Sequence, residues 1–204
     1  MGEVTTDLAL DLDPLPPLAA WRHIEARDGF EVLHAHRGEQ PFVFEGHTTA
    51  IEEGEPFAVG YRIELDRAWH TRRAHVWSSA PGHQGSVQIQ GDGLGAWQVD
   101  GVDRPDLAGC LDVDLESSAC TNALPLRRLG PAVGAAAACP AVYVRALDLA
   151  VERLEQDYVR RPDDGDGDHI VVHYVCERFD ADFDLTYDRT GLIVDYPGLA
   201  VRAS

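Results

Sequence analysis

Not one of the chain's 17 basic residues is a lysine; all are arginines, set against 35 acidic residues for a formal charge of −18. That shortage of positive charge argues against a nucleic-acid partner, whose backbone needs clustered cations. It also disfavours anionic membrane surfaces. An arginine-only, acidic composition is expected of a GC-rich or salt-adapted genome, with some guanidinium groups left to pair with carboxylates or to bind anions bidentately. Long apolar runs are missing too. None approaches the roughly 20 residues that span a bilayer, so no membrane insertion is expected. The opening, Met1-Gly2-Glu3-Val4-Thr5-Thr6-Asp7, lacks the basic start and apolar stretch of a secretory signal. The expectation is a soluble, cytoplasmic protein. Cysteine is sparse: Cys110, Cys120, Cys139 and Cys176 show no C-x-x-C spacing. They read as buried free thiols, not as a zinc or redox motif.

What is present is period two. The 204 residues, 45% of them hydrophobic, suffice for one domain with a real core. Tyr61–Leu65, Ser86–Gln90 and Phe179–Tyr187 alternate apolar and polar cleanly. Phe30–His36, Phe42–Ala50, Arg72–Ser78, Ala96–Asp100, Val142–Leu147, Leu149–Tyr158, His169–Cys176 and Leu192–Asp195 are further strand candidates. Gly, Pro and Asp clusters punctuate them at hairpin spacing, which describes a largely antiparallel all-β protein. A proline-rich stretch over residues 1–20 reads as a loose arm before a single domain at 21–204. Helix signals are scarce. Thr121–Leu129 has cap residues at its start and Gly130-Pro131 beyond its end. Gly134–Cys139 has helix propensity but is too short to count on. A sheet of this size must curl around something to bury its apolar face, and the 121–129 segment is the obvious object.

Few constellations carry chemistry. His34-Ala35-His36 places two imidazoles on one strand face, but no third ligand accompanies them, and solvated edge histidines are expected. His169 and His173 lie roughly 13 Å apart along a strand. Asp163–Asp168 has calcium-like carboxylate spacing, yet position six would be His169 and position twelve Val175, so it reads as a hairpin turn. No metal and no cofactor is expected. There is no G-x-S-x-G, and the glycines of Gly91–Gly95 lie between strands with no helix start to cradle a phosphate. The most informative stretch is Leu111-Asp112-Val113-Asp114-Leu115, followed by Thr121-Asn122 and Arg127-Arg128. Its alternation is that of a half-buried strand with both aspartates on one face. Carboxylates, an amide and guanidinium groups are thereby gathered beside leucines that want burial.

The run from Leu107-Ala108-Gly109-Cys110 through Leu111–Leu115 to Thr121-Asn122-Ala123-Leu124-Pro125-Leu126-Arg127-Arg128-Leu129 resembles the signature of the putative glycolipid-binding family, a domain of unknown function. Tyr61–Asp66 with Trp69-His70-Thr71-Arg72, Gly93–Trp97, Gln156-Asp157-Tyr158 and Gly191–Leu199 are similar to it in order, from about residue 21 to 202. The resemblance implies a spiral β-roll, a long, mostly antiparallel sheet wrapped around a single helix, and a homodimer. It carries over no catalytic residue. At Ser118-Ala119-Cys120 the chain departs from the Thr-Pro-Phe usual before the Thr-Asn pair, which bears on the shape of any pocket.

Three readings follow. One is a non-enzymatic carrier or sensor of a glycolipid or similar amphiphile, with an acyl part sheltered by the curved sheet. Its tentative ligand-binding residues are Trp69, Arg72, Asp112, Asp114, Asn122, Arg127, Arg128, Tyr158 and Tyr196. Another is an enzyme on small or sugar-like substrates, with Asp112 or Asp114 as general base and Arg127 or Arg128 as anion clamp. The third has the Asp112, Asp114, Arg127 and Arg128 cluster purely structural, fixing helix to sheet.

Overall fold

The computed structural model describes residues 10–36, 42–163 and 167–204. Two runs of hairpins make up most of it. The first contains β1 (Leu18–His23), β2 (Asp28–His36), β3 (Phe42–Glu52), β4 (Glu55–Leu65), β5 (Thr71–Ala80), β6 (His83–Gly91), β7 (Trp97–Val99) and β8 (Val102–Asp103). A middle segment follows, with β9 (Asp112–Leu115), the helix α1 (Ala123–Leu129), β10 (Ala136–Ala138), β11 (Ala141–Val144) and β12 (Val151–Leu154). The last run has β13 (Asp157–Arg160), β14 (His169–Cys176), β15 (Ala181–Asp188), β16 (Ile193–Tyr196) and β17 (Ala200–Arg202).

One pairing turns these runs into a roll. β1 lies antiparallel to β17, with Trp21 opposite Arg202, so the first and last meanders fuse, and β10 of the middle segment adds to β13 to complete a 14-stranded sheet. Its order is β10-β13-β14-β15-β16-β17-β1-β2-β3-β4-β5-β6-β7-β8. The rest of the middle segment is left inside. There β9 pairs with β11 in parallel and β11 with β12 antiparallel, a separate three-stranded sheet. The result is a mostly-β spiral roll around a single α-helix among the described residues, as expected.

Alternation explains the wrapping. Leu33, Phe44, Tyr61, Ile63, Val76 and Ile89 face inward and are buried, while their strand neighbours face water. The inner face also carries polar side chains that satisfy the middle segment's backbone, which has few partners of its own. Thr48 Oγ1 donates to Ser117 O at 2.7 Å, Ser78 Oγ to Ala146 O at 2.6 Å and Trp97 Nε1 to Cys110 O at 2.9 Å. Glu31, wholly buried, accepts from Tyr61 Oη at 2.7 Å, from Ala119 N–H at 2.8 Å and from Ser118 Oγ. Burial pushes the Glu31 carboxyl up, and those donors pull it back.

Some elements differ from the sequence expectation. Gly134–Cys139 supplies β10, whose three alanines pair with β13; tertiary pairing overrides alanine's helix propensity. The candidate strand Leu149–Tyr158 divides into β12 and β13, which belong to different sheets. The segment 177–179 is a 3₁₀ turn before β15. The helix starts at Ala123 after a 3₁₀ turn at Cys120–Asn122, without a side-chain cap, and ends at Gly130 in the left-handed conformation. His34 and His36 are exposed, but on β2 inside the sheet order and not at an edge. Of the stretch read as an arm, residues 10–17 form no regular element. Leu10 N–H donates to Gly130 O and Asp13 N–H to Arg189 O, and β1 begins at Leu18. Residues 1–9, and Asp164, Gly165 and Asp166 of the calcium-like stretch, lie outside the described residues.

Candidate functional site

Strand β9 is buried along its whole length. This corrects the half-buried strand expected from its alternation: inside the roll both faces are covered, so Asp112 and Asp114 are interior groups. Burial of two carboxylates is costly unless each finds a partner, and they solve it differently. Arg128 reaches back from α1 and grips Asp112 bidentately, Nη2 to Oδ2 at 2.6 Å and Nε to Oδ1 at 3.1 Å. Burial pushes the Asp112 carboxyl up and the guanidinium pulls it back. Asp114 makes no ion pair among the described residues. Thr121 Oγ1 donates to its Oδ1 at 2.7 Å, and burial leaves its carboxyl pushed up to about 6.

Asp114 lies on the wall of a solvent-open cavity of about 330 Å³. The small sheet forms one side, through Asp114, Leu115 and Glu116 of the β9 end and Tyr143 of β11. The main sheet forms the other, through Tyr174 of β14, Ala181 and Phe183 of β15 and Tyr196 of β16. Asn122 and Ser118 also line it, and the turns around Arg27 and Glu52 close one end. Tyr174, Phe183 and Tyr196 pack on one another with ring centroids 5.7–6.1 Å apart. Tyr143 and Phe179 form a second aromatic pair at 5.5 Å. Phe179 is 46% exposed, which places an apolar ring where the cavity meets solvent.

The electrostatics centre on Asp114. Five phenols, those of Tyr143, Tyr158, Tyr174, Tyr187 and Tyr196, are pushed up, first by burial and further by the Asp114 charge. They are neutral hydrogen-bonding groups. Tyr158 Oη donates to Asn122 Oδ1 at 2.9 Å, so the carbonyl of that amide is committed and its orientation fixed. Arg27 is committed as well: it ion-pairs with Glu52 at 3.3 Å and donates to Glu116 O at 3.1 Å.

The residues expected at a site thus divide. Asp114, Asn122 and Tyr196 line the cavity, and Tyr158 holds Asn122 from behind. Asp112 and Arg128 form a closed pair apart from it. Arg127 stacks its guanidinium 4.3 Å over the Trp69 ring and donates to Thr190 O. Arg72 sits on the surface beside Gly91 and Asp66. Trp69 and Arg72 therefore do not make a cavity mouth together. Tyr143, Tyr174, Phe179, Phe183, Arg27, Glu52 and Glu116 are lining residues that spacing alone did not single out. Among the described residues, no three His, Cys, Asp or Glu side chains gather closely enough to hold a metal ion.

The chain is thus a filled, mostly-β roll with a small aromatic and carboxylate-bearing cavity between its two sheets. Residues 18–202 match the family described as "Putative glycolipid-binding", and the chain belongs to that family. It is similar to the crystal structure of a DUF1089 family protein from Pseudomonas aeruginosa, with 31% identity and a TM-score of 0.71 over 97% of this chain and 98% of that one. No curated protein matches.

Proposed function

We propose that this protein is a non-enzymatic carrier or sensor of a glycolipid or similar amphiphile, held at the cavity between the two sheets. The observation that carries the reading is that cavity: open to solvent, walled by five aromatic side chains and supplied with a few convergent polar groups, the usual form of a small-molecule site. The family description points the same way. The interior of the roll is occupied by α1 and the packed core, which leaves this cavity, and not the curve of the main sheet alone, as the ligand space of the proposal. The binding reading is favoured over the enzymatic one by the arginines. Arg128 is closed on Asp112 and Arg127 on Trp69 and Thr190 O, which takes away the anion clamp that the enzyme reading required.

The test is extraction of protein purified from its native host with organic solvent, followed by mass spectrometry. An amphiphile enriched in stoichiometric proportion over an unrelated acidic protein is the expected result. Recovery of no lipid, together with no binding of soluble short-chain amphiphiles by the purified protein, overturns the reading.

A further inference from the structure

We infer that the cavity receives a single uncharged sugar ring, the polar end of the amphiphile, and that the lipid tail stays outside it. The inference rests on the binding reading above and specifies which part of the ligand enters. Size comes first. At about 330 Å³ the cavity lies near the lower bound for small-molecule sites. One six-membered ring with its hydroxyls fits; a long acyl chain with its backbone does not.

Chemistry agrees with size. A sugar ring is amphipathic, with C–H groups on its faces and hydroxyls around its edge. The Tyr174, Phe183 and Tyr196 cluster offers ring surface to the faces. Asp114 offers an acceptor to the edge and Asn122 its amide donors. An acyl chain in the same place would strip water from the carboxylate and the amide and return no hydrogen bond, a penalty that hydroxyls avoid.

Charge selects among head groups. Glu52, Asp114 and Glu116 line the cavity against one guanidinium, Arg27, and Arg27 is already engaged with Glu52 and Glu116 O. A phosphate, sulfate or carboxylate would meet three carboxylates against that one guanidinium, on a chain of charge −18. Uncharged hydroxyls meet an acceptor. The exposed Phe179 ring at the opening is placed to touch the first methylenes of a tail leaving the cavity.

The experiment is titration calorimetry below the micelle concentration with octyl glucoside, octyl galactoside and octyl mannoside. A sugar-free octyl oligoethylene glycol ether, octyl phosphate and the matching methyl glycosides serve as comparison probes. At least one octyl glycoside should bind, at least tenfold more tightly than the ether or the phosphate. Asp114→Asn and Tyr196→Ala should each weaken it about tenfold, and the exposed-site variant Leu94→Ser should leave it unchanged. Equal binding of the ether overturns the sugar assignment and leaves the amphiphile reading standing. A methyl glycoside as tight as its octyl counterpart supports the sugar assignment and removes the amphiphile. Failure of every probe overturns both.

Discussion

Asp112 and Asp114 stand two residues apart on one short strand, point to one face, and live in opposite regions. At Asp112 the strand meets the helix, and a bidentate guanidinium closes the site to everything else. At Asp114 the strand meets the cavity, and the hydroxyl of Thr121 donates to the carboxylate. The Asp112 charge is neutralised within the fold; the Asp114 carboxylate is desolvated and makes no ion pair among the described residues. A group held at such a disadvantage belongs to ligand recognition more readily than to stability. The structural reading of this polar cluster then falls to Asp112 and Arg128, and the proposed binding role to Asp114.

The contrast breaks most visibly at Arg128. Arg128→Ala leaves a buried, unpaired carboxylate and should cost about 3–5 kcal/mol in urea unfolding. The double replacement Asp112→Leu with Arg128→Met should recover most of that loss, because an apolar pair of similar volume needs no desolvation of charge. Asp114→Asn should do the reverse. A carboxyl raised from 3.8 to about 6 by folding binds its proton more tightly in the folded state. Its contribution is therefore fully present below about pH 4 and lost as pH rises through about 6. At about 1.4 kcal/mol per pH unit, the loss by pH 7 is about 3 kcal/mol. Relative to the wild type, the Asn variant should therefore be more stable by that order at pH 7 than at pH 4, read as the difference between the two proteins' unfolding free energies at each pH. Asp112 and Glu116 add to the raise and Thr121 opposes it. Destabilisation by Asp114→Asn comparable to that of Arg128→Ala would erase the distinction between the two sites.

The fold was legible because period two is a local signal. Tyr61–Leu65, Ser86–Gln90 and His169–Cys176 lie within strands, and Gly130 ends the helix. Burial of β9 was not legible, since an Asp-Val-Asp alternation looks the same whether its polar face meets water or the inside of a roll. The three alanines of β10 were hidden for a related reason: their strand state comes from β13 across the sheet, not from their own propensity. At the site, Tyr174 opposite Phe183 follows from folding β14 and β15 about the turn at 177–180, a register that alternation alone permits one to draw. Arg27 and Glu52 carried no such signal. Arg27 lies in the turn between β1 and β2 and Glu52 ends β3, and only the folded roll brings both to the cavity that Asp114 lines.

Smaller effects sharpen the boundary between the regions. Tyr158→Phe removes the hydroxyl that donates to Asn122 Oδ1 and leaves a buried carbonyl short of its donor. The expected cost is about 1–2 kcal/mol, with a severalfold loss of octyl glycoside affinity as the amide loses its fixed orientation. Stability lost with affinity unchanged would move Asn122 out of the binding region.

The smallest effect is expected at Arg72, chosen from the sequence beside Trp69 and placed by the fold on the surface. Its guanidinium is about half exposed and 3.5 Å from Asp66 Oδ2, a contact that solvent screens. The turn it touches does not depend on it. Asp66 Oδ1 already accepts from the backbone N–H groups of Ala68 at 2.9 Å and His70 at 3.1 Å. Trp69, at φ 66°, is held by its own N–H on Asp66 O at 3.0 Å and by its stacking on Phe42 and Arg127. Arg72→Ala should therefore change unfolding free energy by less than about 1 kcal/mol and leave octyl glycoside affinity unchanged in the same calorimetric titration. A clear loss of affinity would extend the binding region across α1 to the Trp69 turn and unite the two halves that β9 separates.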